Sequence, residues 1–72
     1  MSSNIGWETS ETDVEQALGN LGMPNGENDV EEVLEYLDTD QVEVAALYGD
    51  DMFEQTDFAI EDIEQQITQR CN

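Results

Sequence analysis

Two stretches of this chain, ETDVEQALGNLG (Glu11–Gly22) and ENDVEEVLEYLD (Glu27–Asp38), carry apolar residues at the same steps of three and four. Val14, Ala17, Leu18 and Leu21 in the first, and Val30, Val33, Leu34 and Leu37 in the second, follow the i, i+3, i+4, i+7 template of an amphipathic helix. Helices this short are marginal in water unless another element covers their apolar stripe. The pattern therefore calls for an all-α fold, a compact bundle of three or four short helices joined by tight connections.

The two stretches share six of twelve positions at an offset of sixteen, and the pattern Asp-(Val/Ile)-Glu-(Gln/Glu)-x-(Leu/Ile) recurs from Asp62 as DIEQQI. Acids in a first helical turn complement the positive end of the helix dipole, so the repeat is read as a shared grammar of helix beginnings. Ser10 with Asp13, and Asn28 with Glu31, have capping-box spacing at the two starts. Gly22 is a natural stop for the first helix, MPNGEN is a turn, and the second helix is expected to end near Asp38.

In DTDQVEVAALYG, Asp40 can cap a short helix through Tyr48 stopped by Gly49; Val42 and Val44 alternate as in a strand, but no partner strand is evident. The last helix is expected from Asp57, or from Asp50, to Gln69, with Phe53, Ile60, Ile63 and Ile67 inward and Arg70 in the closing turn. Residues 1–10 form a segment without periodicity, with Trp7 expected to pack back onto the helical domain of residues 11–70.

Nineteen acids, one Arg, no Lys and no His leave 72 residues with a net charge of −18. A chain of this size buries only about 60% of the surface its unfolded form exposes. Self-repulsion opposes that thin core, although physiological salt screens charges beyond roughly 8 Å. One cation cannot neutralise phosphates, which excludes direct nucleic-acid binding and adhesion to anionic membrane surfaces. The partner that remains is a basic protein surface.

Chemistry is sparse. Without histidine the commonest general base is missing. Cys71, the only cysteine, has no neighbour besides Arg70 to favour a thiolate, and no phosphate-binding glycine loop occurs. No catalysis, no cofactor and no dedicated metal site are expected. The nearest approach to a calcium loop, DTDQVEVAALYGD, has Glu43 at its sixth position and Gly49 at its twelfth, where an EF-hand needs Gly and Glu. The opening MSSNIGWETS has neither basic residues nor an apolar run, so no signal peptide is expected, and no segment has the roughly 18 apolar residues of a membrane span. The expected place is the cytoplasm of a host cell.

The acids are themselves patterned. Asp50, Glu54, Asp57, Glu61 and Glu64 follow one another at steps of four, three, four and three. On a continuous helix they would form a row about 21 Å long. Stacked like charges destabilise a helix by roughly 0.2–0.5 kcal/mol per pair, so the row needs either solvent or a basic partner. Glu31, Glu35 and Asp38 offer a second row, and the two could join into one negative face.

Three resemblances bear on function. NGENDVEEVLEYL (Asn25–Leu37) resembles the second half of a ubiquitin-associated domain, which implies a protein-binding adaptor; Leu21–Met23 is not where such domains carry their Met-Gly-aromatic loop. LDTDQVEVAAL (Leu37–Leu47) resembles the helix that follows the prosthetic-group serine of acyl carrier proteins, but Tyr36 stands in the serine's place. In size, charge and acidic stripe the whole chain resembles the DNA-mimic inhibitors of phages and mobile elements, of anti-CRISPR or anti-restriction type. That resemblance implies a protein that fills the basic groove of a Cas effector or restriction enzyme. The residues expected to meet it are Asp50, Glu54, Asp57, Glu61 and Glu64, supported by Glu31, Glu35 and Asp38. A C2 homodimer would enlarge the negative face at a cost in repulsion.

Overall fold

A computed structural model describes residues 8–71, with side chains through Arg70; Trp7 and the Cys71 thiol lie outside the described residues. Four helices follow in order, α1 (Glu11–Asn20), α2 (Glu27–Tyr36), α3 (Thr39–Ala46) and α4 (Met52–Cys71), and no strand occurs among the described residues. The all-α bundle expected from the apolar spacing is the fold observed.

Ser10 and Asp13 close the capping box at the start of α1: the Asp13 amide donates to Ser10 Oγ (3.3 Å) and the Ser10 amide to Asp13 Oδ2 (3.2 Å). At the other end Gly22 takes φ +74°, and the Met23 amide reaches back to the Leu18 carbonyl while that of Gly22 reaches Gly19. This is a Schellman stop, which a left-handed glycine makes inexpensive. It also explains a departure from the apolar template. Leu21 belongs to the turn, not to the helix face, and is half out in solvent at 37% exposure.

Three caps fall on other residues than the spacing suggested. α2 starts two residues early, at Gly26 and not at Asn28; the Asp29 carboxylate accepts the Gly26 amide at 3.0 Å, and Glu31 caps nothing. α2 ends at Tyr36 because Asp38 belongs to the next element. Its carboxylate accepts the Gln41 amide (3.1 Å) and caps α3 in place of Asp40. α3 stops at Ala46 with Leu47 as its C-cap, short of Tyr48. The Val42–Val44 alternation resolves helically: Val42 and Ala46, one turn apart, are buried, and Val44 points away from them.

α4 starts at Met52, so Asp50 lies outside it. Asp51 caps it, accepting the Glu54 amide (2.9 Å), and Glu54 Oε1 accepts the Asp50 amide (2.8 Å). Twenty residues at 1.5 Å each give about 30 Å, which accounts for the 32 Å long dimension of the molecule. Ala59, Ile63 and Ile67 form its buried stripe; α1 and α3 both pack along it, and α2 packs on α1. Ile60 is only half-buried and Leu34 likewise, both at the margin of the core. Phe53, expected inward, is exposed because it lies in the first turn of α4, ahead of the buried stripe.

Candidate acidic interface

Among the described residues no charged or polar side chain is buried, so all nineteen acids lie on the surface: fourteen are exposed and five (Asp13, Asp29, Glu43, Asp62 and Glu64) half-buried. What separates them is use. Asp13, Asp29, Asp38 and Asp51 cap helices, and Asp62 accepts from Gln41 Nε2 (2.9 Å) and Gln66 Nε2 (2.8 Å). These carboxylates hold the bundle together.

The α4 row survives in shortened form. Glu54, Asp57, Glu61 and Glu64 fall within about 80° of one another around the helix and span about 15 Å, less than the 21 Å expected because Asp50 is not helical. Asp57, Glu61 and Glu64 line one groove with Gln16 and Asn20 of α1. Glu64 is half committed: Asn20 Nδ2 donates to its Oε2 at 2.8 Å, and Asn20 in turn receives Gln16 Nε2 at 2.9 Å. Glu54 is occupied by the cap. Asp57 and Glu61 are exposed and accept no hydrogen bond among the described residues. Among the described residues they are the two acids of the row whose carboxylates hold no partner, whereas Glu54 and Glu64 each accept one. Neighbouring charges some 6 Å apart in water repel by only about 0.7 kcal/mol, which the bundle tolerates.

The second row does not join the first. Glu31 and Glu35 are exposed on α2. Glu35 borders a different groove, floored by Leu18, Val33 and Ile67, where the Arg70 guanidinium sits 4.6 Å over the Tyr36 ring. Asp38 is structural. Gln66 clasps its backbone from both sides, Oε1 accepting the Asp38 amide (2.8 Å) and Nε2 donating to the Asp38 carbonyl (3.1 Å). Two residues along a helix is a rotation of about 200°, so the side of α4 that holds Asp38 is turned away from Glu64. The expected single broad face is therefore two faces, and Arg70 is on the lesser one.

No protein-family model matches the chain, and no curated protein or solved structure matches it either.

A second surface feature is apolar, and the helical period of the sequence does not announce it. Val44, Leu47, Tyr48, Met52 and Phe53 are all exposed, concentrated in ten residues about the α3–α4 corner. The signal was present in DDMFE, where Asp51 and Glu54 have capping-box spacing and so leave Met52 and Phe53 in a first turn. Among the described residues no group of three or more His, Cys, Asp or Glu is arranged to hold a metal ion, and no helix is long and apolar enough to cross a membrane.

Proposed function

We propose that this protein is a non-enzymatic inhibitor that occupies the basic nucleic-acid-binding groove of a host defence or nucleic-acid-handling complex, of Cas-effector or restriction-enzyme type, in the host cytoplasm. The observation that carries the reading is the free Asp57–Glu61 pair, set in an exposed row of carboxylates on a surface that buries none of its nineteen acids. Duplex DNA offers a charge every 3.4 Å or so along each strand, and helical carboxylates three or four residues apart stand about 5–6 Å apart. Lysines and arginines spaced for phosphates therefore meet such a row without matching it atom for atom. Complementary fields of this kind speed association and make it salt-dependent.

Tagged protein used to capture partners from host lysate, with elution by duplex DNA, tests the reading. It predicts that DNA displaces a nucleic-acid enzyme or Cas complex, and that Asp57→Asn/Glu61→Gln loses the capture while its thermal stability is unchanged or raised. Full retention by that double variant would reduce the row to a solvated surface. A second reading, a protein-binding adaptor, is favoured by the exposed Tyr48 and Phe53. It predicts a partner held through those apolar groups that neither salt nor DNA releases.

A further inference from the structure

Six of the seven large apolar residues that the described surface exposes lie between positions 44 and 58. Val44 lies on the side of α3 opposite the buried Val42 and Ala46, and Leu47 and Tyr48 follow it in the turn that ends the helix. The chain then reverses at Gly49, whose backbone is so close to that of Glu54 and Gln55 that a Cβ would stand 2.5 Å from the Gln55 nitrogen. This reversal sets Met52 and Phe53 beside the end of α3, and Asp51 and Glu54 cap the turn that carries them. Tyr48 also shares a groove with Ala45 and Phe58, which carries the apolar surface onto the outer side of α4. Phe53 is 84% exposed and Tyr48 78%, on backbone held by caps and close packing.

Contiguous apolar surface rimmed by polar groups marks an interaction site. Here the charged neighbours are all anionic: Glu43, Asp50, Asp51 and Glu54 flank the apolar residues in the chain, and Glu61 and Asp62 line the groove with Tyr48 and Phe58. The rim selects the occupant. A second copy would bring the same carboxylates against themselves at −18 per chain, and an anionic lipid surface is repelled in the same way. We propose that the α3–α4 corner docks a cationic protein segment that carries an aliphatic or aromatic anchor among its lysines and arginines, with the anchor on Tyr48 and Phe53 and the cations on the rim. The proposal rests on the reading above that the partner is basic, and adds that charge alone does not hold it. Buried aromatic anchors within a ring of polar contacts carry most of the energy in such interfaces.

Two fluorescent peptides of equal charge separate the contributions: oligolysine, and the same lysines interleaved with Leu and Trp. Anisotropy titrations at about 0.15 M salt should give the interleaved peptide an advantage of about tenfold with the parent protein. That advantage should vanish in Tyr48→Ser/Phe53→Ser, and independently in Val44→Gln/Met52→Gln. Equal affinity of the two peptides for the parent, or an advantage that survives both patch variants, overturns the proposal and leaves the basic-partner reading standing. If neither peptide binds, the basic-partner reading fails and the docking proposal fails with it.

Discussion

Glycine at position 49 is fixed by distance. A methyl there would meet backbone atoms, Gln55 N at 2.5 Å and Glu54 C at 2.7 Å, that cannot swing aside as a side chain would. Gly22 differs: nothing lies within 4 Å of its missing Cβ, and only its φ of +74° resists a side chain. Two graded costs follow. Gly22→Ala should lose about 1 kcal/mol, the usual penalty for a left-handed alanine. Gly49→Ala should lose about 3 kcal/mol or more, because the α3–α4 reversal has to open. Thermal melts by circular dichroism check the order, with roughly 4–8 °C expected per kcal/mol in a domain this small. A Gly49→Ala protein that melts above Gly22→Ala would contradict the close approach.

At the scale of elements, one side chain of α4 ties down the α2–α3 junction beside the apolar stripe on which α3 packs. Gln66 bonds both backbone groups of Asp38 and supports Asp62, which in turn receives Gln41 of α3. In Gln66→Glu the Nε2 donor becomes an oxygen facing the Asp38 carbonyl and the Asp62 carboxylate. The loss should be about 2 kcal/mol, within the range for leaving polar groups unpaired. The expected signature in amide hydrogen exchange is local: the Asp38 amide loses protection while the middle of α1 keeps its own. Unchanged protection at Asp38 would show that Gln66 does not hold the junction.

The helices themselves were legible in the sequence, because a 3.6-residue apolar period has one physical meaning when the segments are too short to stand alone. Val14, Ala17 and Leu18 are buried as that period requires. Caps were less legible, since an aspartate offers the same carboxylate wherever it lies and this chain has one every few residues. Asp38 and Asp40 both suit the start of α3, and tertiary contact decides between them, because Gln66 already holds the Asp38 backbone. The acidic row was readable as spacing, yet not as use. That Glu54 caps a helix and Glu64 is bound to Asn20, while Asp57 and Glu61 are free, depends on partners ten or more residues away or on a helix start three residues off. Phe53 was misplaced for the same reason, its position being set by the cap.

For the whole molecule the controlling quantity is −18 spread over a surface with one cation, itself stacked on Tyr36. Repulsion on this scale is accepted by the bundle because each neighbouring pair costs little in water. It becomes attraction when a basic surface approaches, and the long-range field steers that encounter. The free carboxylates of Asp57 and Glu61 and the apolar corner at Tyr48 and Phe53 then act at close range, on adjoining parts of α4. The central claim is that this surface and a nucleic acid compete for one groove. Mass measurement of the captured complex, titrated with duplex DNA, tests it most directly. The account predicts only two species, partner with this protein and partner with DNA, exchanging as DNA is added. A stable ternary complex holding all three would contradict it.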